Sequence, residues 1–455
     1  MSHYYGIGDA AKKLHQKLAN SLAGPLQAYL PQKWITEILS DIGYKFRCTT
    51  FSPLITLWAF IGQALDPDYS CNRALSRIQV HRAAMGLNPS SADTGGYCKA
   101  RKRLPTTLLS RLTKRIGRRL SNKAHANKLW FGRRVKVVDG SSASMPDTKA
   151  NQQAYPQPAN QKSGCGFPVV AFVAVFCLGT GAMLALAFGP WCAHDLRLFY
   201  FVRKIFVFGD IMLGDRAFCS YAELALLRRK GVDTVARLHQ RRRTDFRCGR
   251  ILGRMDHCVT WTRPRKCPKG LRRSDYQLLP QRMLVRELRY SVHVKGYRTK
   301  SVTLATTLLD AEKYPAEALA ELYFARWDVE LNFQHIKTTM KMDILRGRTP
   351  EMVRKEIWAH MLAYNLVRSV MWDAAAIDAT PVRRLSFKGT IQYSLSLREV
   401  SGPPGPPGRA LAWLLQFAAT QKVPYRPWRF EPRKRKRRPK KFPLLMKPRS
   451  QLKAG

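Results

Sequence analysis

The spacing of apolar residues along the chain changes near residue 128, and this change separates two kinds of structure. Before it, apolar side chains recur three or four positions apart, as in LITLWAFIGQAL (54–65) and LLSRLTKRIGRRL (108–120). This spacing predicts amphipathic helices within residues 1–128. The second segment is strongly basic between its leucines, which indicates either an ordinary solvated face or a surface that contacts DNA.

From residue 129 onwards, short apolar runs alternate with segments of helical spacing. Residues 135–138 predict a strand that ends at Asp139, and IMLGDRAF predicts a strand that ends at Asp215. SYAELALLRRKG predicts a helix that closes at Gly231, and VDTVARL predicts another strand. Strands and helices that alternate in this way indicate a mixed α/β sheet.

The apolar run FPVVAFVAVFCLGTGAMLALAFGPW (167–191) is about long enough to span a bilayer. However, Gly179, Thr180 and Gly181 divide it in the middle. Its first half is rich in Val and Phe, which favour strands. We therefore predict a buried β-hairpin at this place and no association with a membrane.

The second half of the chain begins with a segment of different composition. Residues 238–302 are dense in Arg and Lys and contain strand-like runs, which predicts a basic, β-rich insertion with a turn near Lys295. Two long helices are predicted at 315–340 and 350–373. The predicted domains are a helical N-terminal DNA-binding domain (1–128), a first part of the core (129–237), the insertion (238–302), a second part of the core (303–375) and a C-terminal region (376–455) with a basic tail at 433–441.

The net charge of the chain indicates the kind of partner that it binds. Lys and Arg number 79 against 30 Asp and Glu, which gives a formal net charge of +49. Such an excess repels itself unless a polyanion neutralises it, so DNA or RNA is the expected partner and binding should weaken steeply with salt. A ribosomal or architectural protein can be equally basic, so the charge alone does not indicate an enzyme.

The cysteines and the first residues indicate the compartment. The ten cysteines are scattered without a C-x2-C pair, and His257 with Cys258 lacks partners at zinc spacing. We therefore expect reduced thiols in the cytoplasm and no structural zinc. The N-terminal sequence MSHYYGIGDAAKKLHQ lacks the apolar run of a secretory signal, which agrees with a cytoplasmic protein.

Two carboxylates stand at the predicted strand ends, where sites gather in open α/β sheets. Asp139 and Asp215 each follow a short apolar strand of one predicted sheet. The alternative for either residue alone is a turn former or a helix cap. Asp210 precedes its strand, so Asp215 is the better candidate of that pair.

A third carboxylate lies in YFARWDVELNFQHIK (323–337), a segment with helical spacing. At about 100° per residue, four of its polar side chains fall within an arc of roughly 60°: Tyr323, Arg326, Glu330 and Lys337. Asp328 and His335 project elsewhere, which favours packing or surface roles for them. The four could be surface charge pairs worth well under about 1 kcal/mol each. Their neighbours Trp327 and Leu331 favour a half-buried stripe at the edge of a site.

The pattern Y-x2-R-x3-E-x6-K formed by these four residues resembles the signature helix of insertion-sequence transposases of the IS-four family. The segments VVDGSS, LGDRAFCSYAELALL and YCKARKRLP (97–105) are also similar to sequences of that family, and the resemblance covers roughly residues 50–375. It implies an RNase H-like core with a DDE triad formed by Asp139, Asp215 and Glu330. It also implies a β-rich insertion between the last two acids.

The resemblance also implies a chemistry. Phosphodiester cleavage and strand transfer use two divalent ions about 3.5–4 Å apart, and three carboxylates suit Mg²⁺ or Mn²⁺. The catalytic acids would therefore also be the metal ligands, while Tyr323, Arg326 and Lys337 would bind DNA phosphates. Water would cleave the transposon end, and the freed 3′-OH would attack the target strand, with a homodimer acting on paired DNA ends.

Other functions stay open at this point. One alternative is a DNA-binding protein descended from a transposase but without catalysis, and another is a metal-dependent nuclease without strand transfer. Some relatives form a DNA hairpin in which a Trp of the insertion stacks on a flipped base. Here the nearest candidates are Trp261 and Trp327, which flank a stretch without Trp, so a hairpin intermediate is not supported residue by residue.

Overall fold

The computed structural model describes residues 9–46, 49–124, 129–292, 301–399, 407–424, 445–448 and 451–452. The predicted turn near Lys295 and the basic tail at 433–441 lie outside the described residues. The chain forms two compact units. We call Met1–Lys123 with Phe333–Tyr425 the helical unit, and Ala124–Asn332 with Arg426–Gly455 the sheet unit.

The regular elements follow the chain order. The α-helices of the described residues are α1 (Asp9–Ala23), α2 (Gln32–Asp41), α3 (Pro53–Leu65), α4 (Cys71–Ala83), α5 (Gly95–Arg103), α6 (Thr106–Asn122), α7 (Lys149–Ala154), α8 (Asp195–Val202), α9 (Tyr221–Arg228), α10 (Arg273–Gln277), α11 (Ala316–Phe324), α12 (Asp328–Gln334), α13 (Pro350–Ile377), α14 (Phe387–Glu399) and α15 (Pro407–Thr420). The strands are β1 (Val135–Ser144), β2 (Val169–Cys177), β3 (Met183–Pro190), β4 (Ile211–Gly214), β5 (Asp233–Arg237), β6 (Arg250–Gly253), β7 (Asp256–Thr262), β8 (Arg282–Ser291) and β9 (Ser301–Thr306).

The helical unit is built around two buried helices, α3 and α13. Every residue of α3 is buried, and its first turn is capped by Ser52, whose hydroxyl accepts a hydrogen bond from the Ile55 amide. The long α13 is buried along most of its length and packs against α3 and α6. The predicted helical character of the N-terminal residues is therefore confirmed for the described residues.

The sheet unit contains one mixed sheet in the order β3-β2-β1-β4-β5-β9-β8-β7-β6. Strands β3, β2 and β1 are antiparallel neighbours, while β1, β4 and β5 run parallel. This order and these directions are those of an RNase H-like core, so the predicted α/β fold class is confirmed. Helix α8 packs on β2 and β3, and α9 packs on β5 and β8.

The apolar run at 167–191 forms the predicted hairpin of β2 and β3. Strand β2 is buried between β3 and β1, and α8 packs on β2 and on the edge strand β3, whose first five residues are buried. Among the described residues, the structure contains no helix with the length and apolar character of a membrane span.

The insertion does not form a separate sheet. Its strands β6, β7 and β8 continue the core sheet through β9, which pairs with β5 from Val235↔Thr306 to Arg237↔Leu304. At the centre of this extension the fully buried guanidinium of Arg286 forms an ion pair with Asp256. One continuous hydrogen-bonded sheet therefore joins the insertion to the core strands.

One predicted boundary was wrong, and one predicted helix differs in its internal structure. Strand β1 does not end at Asp139 but continues to Ser144, because β2 supplies hydrogen-bond partners beyond the point where the parallel partner β4 stops. The predicted helix at 315–340 is not uniform. It contains a 3₁₀ turn at Ala325–Trp327 and ends in a π-helical turn at His335–Thr339.

A buried ion pair supports the strands from which the candidate acids project. The ammonium group of Lys136 on β1 contacts the carboxylate of Asp210 and donates to the Ile205 carbonyl at 2.7 Å. The same carboxylate accepts from the Val207 amide at 2.8 Å. Asp210 thus has a structural role, which agrees with the choice of Asp215 as the candidate for the site.

We expect the replacement Lys136→Met to lower the free energy of unfolding by about 3–5 kcal/mol, because it leaves a buried carboxylate without its cation. Urea unfolding of the full chain measures the change. The matched control is Lys204→Met, at an exposed position of the same unit, which should change the free energy by less than about 0.5 kcal/mol. Equal stability of the two variants would contradict a structural role for the pair.

Candidate active site

Two of the candidate acids project from neighbouring parallel strands. The register of β1 and β4 pairs Val138 with Gly214, so the next residues, Asp139 and Asp215, lie at the same edge of the sheet. The Asp139 carboxylate accepts from the Gly140 amide at 2.8 Å. That of Asp215 caps a 3₁₀ turn by accepting from the Ala217 amide at 2.8 Å.

The third acid joins this edge through a shared arginine. Nη1 of Arg326 donates to Oδ2 of Asp139 at 3.5 Å, and its Nη2 donates to Oε1 of Glu330 at 3.3 Å. The Arg326 side chain is 9% exposed, whereas that of Glu330 is 48% exposed. One nearly buried guanidinium therefore connects the first and the third predicted acids, and the Glu330 carboxylate remains open to solvent.

The ring of Tyr323 lies beneath this arginine. Its centroid is 5.6 Å from the Arg326 guanidinium carbon, and the Trp327 ring is 5.3 Å from the same atom. Tyr323 is buried, and burial raises the pKa of its hydroxyl, while Arg326 and Arg237 act in the opposite direction. The aromatic rings thus hold the guanidinium by cation–π contacts. The predicted contact of Tyr323 with a DNA phosphate stays a prediction.

The charges of the other two acids act on Asp139. Burial raises the pKa of Asp139 to about 7, opposed by Arg326 and by the Gly140 amide and reinforced by Asp215 and Glu330. Carboxylates that share a partly buried space disfavour each other's ionised form. The structure thus brings all three predicted acids within electrostatic reach of one another.

A fourth carboxylate, that of Asp195, stands beside these acids and was missed by the sequence reasoning. Asp195 is in the first turn of α8, and a Cβ atom on Gly140 would lie 2.9 Å from its Oδ1. Burial raises the pKa of Asp195, and the charge of Asp215 adds to this effect. An acid in the first turn of a helix is ordinarily explained by the helix dipole. The position of Asp195 in the sequence therefore did not indicate that it lies beside the candidate acids.

The fourth residue of the predicted stripe, Lys337, belongs to the helical unit and lies in the π-helical turn at His335–Thr339. It is half-buried, and burial lowers the pKa of its ammonium group, while Asp343 acts in the opposite direction. His335 stacks on the Phe387 ring with centroids 4.4 Å apart, and burial lowers its pKa to about 4. His335 therefore has the packing role that the sequence indicated.

The candidate acids fit a divalent cation by the chemistry of their donor atoms. Carboxylate oxygens are the ligands that Mg²⁺ and Mn²⁺ prefer. Burial is the main cause of the raised pKa of Asp139, and the charges of Asp215 and Glu330, which a cation would compensate, add to it. Among the described residues, no three His, Cys, Asp or Glu side chains lie close enough together to hold one ion.

The two tryptophans considered for base stacking, Trp261 and Trp327, differ in exposure. Trp261 on β7 is 3% exposed, donates through Nε1 to Glu287 at 2.7 Å and carries Arg242 over its ring at 3.7 Å. Trp327 is 39% exposed. In this conformation only Trp327 of these two offers ring surface to a ligand.

The raised pKa of Asp139 predicts a pH-dependent effect on stability in protein kept free of metal by a chelator. The unfolded chain releases this proton near pH 4 and the folded chain near about pH 7. Because the folded state holds the proton more tightly, the stability contributed by Asp139 is lost as pH rises through this window. Asp139→Asn should therefore gain melting temperature relative to wild type between about pH 4 and about pH 8.

The matched control for this measurement is Glu321→Gln, which changes an exposed acid on α11. Its melting temperature relative to wild type should stay constant over the same pH range. A difference for Asp139→Asn that is equally independent of pH would show that the carboxyl group titrates normally.

Known proteins resemble this chain over most of its length. The family model described as a transposase DDE domain matches residues 130–366. The transposase InsG for insertion sequence element IS4 of Escherichia coli (strain K12) is 27% identical over 438 residues, which cover 94% of this chain and 96% of that protein. The putative transposase y4zB of Sinorhizobium fredii (strain NBRC 101917 / NGR234) is 41% identical over 63 residues, which cover 14% of this chain and 18% of that protein.

Among solved structures, the piggyBac transposase synaptic complex with hairpin DNA matches with a TM-score of 0.44 and 13% sequence identity, covering 82% of this chain and 79% of that chain. The family match spans more than half of the chain and includes Asp139, Asp215 and the whole signature segment. The chain therefore belongs to the DDE transposases and, within them, to the insertion-sequence transposases of the IS4 family.

Proposed function

We propose that this DDE transposase binds the terminal inverted repeats of an insertion sequence, cleaves the element out and joins its ends to target DNA by a cut-and-paste route. The observation that carries the proposal is the hydrogen-bonded connection of Asp139 and Glu330 through Arg326, at the sheet edge where Asp215 also projects. Membership of the DDE transposases gives the class of reaction. The contacts of Asp139, Asp215 and Glu330 support their assignment as the catalytic acids.

Asp139, Asp215 and Glu330 are the proposed catalytic acids and the ligands of two Mg²⁺ ions, with Mn²⁺ as a substitute. Divalent cations bound there supply charge stabilisation for the entering and leaving oxygens of the phosphodiester. The sheet edge positions two of the acids, and α12 positions the third. The Glu330 side chain is more exposed than those of Asp139 and Arg326, with which it shares hydrogen bonds. Its carboxylate therefore has more freedom than that of Asp139 to move towards a cation.

The basic residues of the signature bind the DNA backbone in this proposal. Arg326 offers a planar group with several donors, which suits phosphate oxygens, and Lys337 offers a point charge. Exposed arginines of the insertion extend the basic surface: Arg241, Arg243, Arg247, Arg250 and Arg254. The protein would act as a homodimer on paired ends, in the cytoplasm and associated with the DNA of the nucleoid.

The alternative function is a transposase-derived protein that binds DNA without catalysis, and a nuclease without strand transfer lies between the two. Purified protein incubated with labelled terminal repeats, a target plasmid and Mg²⁺ separates them. Cleavage followed by joining supports the transposase. Cleavage alone indicates the nuclease, and specific binding without cleavage indicates the inactive protein.

We expect Glu330→Gln to reduce Mg²⁺-dependent cleavage of a labelled transposon end by about a thousandfold, since it removes a carboxylate that helps to stabilise charge in the transition state. Gel analysis of the cleaved ends gives the rate and also reveals any hairpin product. Glu321→Gln, an exposed acid earlier in the same helical segment, is the matched control and should cleave normally. Full activity of Glu330→Gln would exclude this residue from the catalytic acids.

We expect Lys337→Ala to weaken binding of a transposon end and to lower the slope of log affinity against log salt by about 1, as for the loss of one phosphate contact. Its melting temperature should stay close to that of wild type. Lys388→Ala, at an exposed position of α14 in the same unit, serves as the control for charge alone. A loss of thermal stability with unchanged binding would indicate a structural role for Lys337 instead.

A further inference from the structure

Two cysteine thiols meet in the helical unit, outside the residues proposed for catalysis. Cys71 is the first residue of α4, and Cys98 lies in α5. Nη2 of Arg101 donates to Sγ of Cys71 at 3.0 Å and to Sγ of Cys98 at 3.6 Å. Cys98 also acts on Cys71, since it adds to the rise in the pKa of the Cys71 thiol. Both sulfur atoms therefore converge on one N–H group of Arg101.

The arginine that joins the two thiols is held in place by the core of the unit. Nη1 of Arg101 donates to Oε1 of Gln63 at 3.2 Å, and its guanidinium lies 5.0 Å from the centroid of the Tyr97 ring. The buried side chain of Gln63 also donates to Cys71 Sγ at 3.8 Å and to the Tyr69 carbonyl at 3.0 Å. The geometry of the thiol pair is thus fixed by groups on α3 and α5.

The two thiols are also open to small reactants in solution. Cys71 and Cys98 are each partly exposed, whereas Cys177, Cys219 and Cys258 are buried. Burial raises the pKa of the Cys71 thiol, and Arg101 acts in the opposite direction by favouring the thiolate. Two thiols held on one donor group are placed so that the second can react with a sulfenic acid formed on the first, which is the route from oxidation to a disulfide.

We propose that Cys71 and Cys98 form a reversible disulfide that joins α4 to α5 when the protein meets a hydroperoxide. One thiol loses its proton, its sulfur attacks an oxygen of the peroxide, the O–O bond breaks, and a sulfenic acid and hydroxide result. The second thiol then loses its proton, and its sulfur attacks the sulfenic sulfur and displaces hydroxide. The protons released by the two thiols convert both hydroxides to water. In total, two thiols lose two electrons and two protons to one hydrogen peroxide, which yields the disulfide and two waters.

The disulfide has a structural consequence for the helical unit. It covalently fixes α5, which exposes Lys99, Lys102 and Arg103, to the first turn of α4. Closing the chain between the two cysteines restricts the unfolded state and so stabilises the oxidised protein. Reduction by a dithiol restores the two thiols.

The test uses the full chain treated with hydrogen peroxide, then alkylated, digested and analysed by mass spectrometry. We expect a linked peptide that contains Cys71 and Cys98 and disappears after treatment with dithiothreitol. We also expect the melting temperature of the oxidised protein to exceed that of the reduced protein by several degrees. Separate alkylated peptides for both cysteines after peroxide, or linkage of either to another cysteine, would overturn the proposal.

Variants separate this disulfide from general oxidation. Cys98→Ser should give no linked peptide and no peroxide-dependent rise in melting temperature, and dimedone should trap a sulfenic acid at Cys71. Cys71→Ser is the reciprocal variant and guards against a folding defect in the first. Cys192→Ser, which removes an exposed thiol outside the pair, is the matched control and should form the linked peptide as wild type does.

Discussion

The guanidinium of Arg326 lies between Asp139 and Glu330, and the candidate site depends on this arrangement of charges. Removing a single charged group from water costs desolvation free energy. Two carboxylates and one guanidinium that are partly buried together offset this cost by pairing with one another. The contact also joins positions 187 residues apart in the chain, so it ties the helix that carries Glu330 to the end of the parallel part of the sheet. Tyr323 and Trp327 then hold the guanidinium through its faces, which leaves its donors for oxygen atoms.

The backbone around this contact explains why the acids can lie so close together. The parallel register of β1 and β4 places Asp139 and Asp215 side by side, and Gly140 leaves room for the Asp195 carboxylate where any Cβ would collide with it. Further from this edge, the buried ammonium group of Lys136 on β1 pairs with Asp210, the residue directly before β4. The strands therefore carry charge at the edge without an uncompensated charge in the core beneath it.

Sequence patterns were sufficient for some of these features. The division of the apolar run at 167–191 by a glycine-rich turn predicted the hairpin, and short apolar runs ending in Asp predicted the strand edge of the site. Such features depend on local spacing, which a sequence displays directly. The resemblance of the stripe at Tyr323, Arg326, Glu330 and Lys337 to a family signature added the third acid, which no local pattern could connect to the sheet.

Features that depend on non-local pairing could not be predicted in the same way. Strand β1 extends past Asp139 because its antiparallel neighbour β2 continues to pair with it. The insertion joins the core sheet because β9 pairs with β5. For the same reason, the position of Asp195 could not be predicted, since it comes near the other acids only when α8 packs on the sheet. The regular helix assumed for the stripe is another case, since its 3₁₀ and π turns change the direction of side chains at both ends.

The proposed function gives Arg326 a second role, and the charges around its guanidinium explain why. In this structure its guanidinium supplies the positive charge that Asp139 and Glu330 require. Under the proposed function, bound divalent cations would supply that compensation, and the donors of Arg326 would then be available to a phosphate oxygen at the same place. A phosphate there would replace the negative charge that the carboxylates now present to the arginine. A lysine would serve this exchange less well, since its single ammonium group cannot connect two carboxylates through separate donors in a fixed plane.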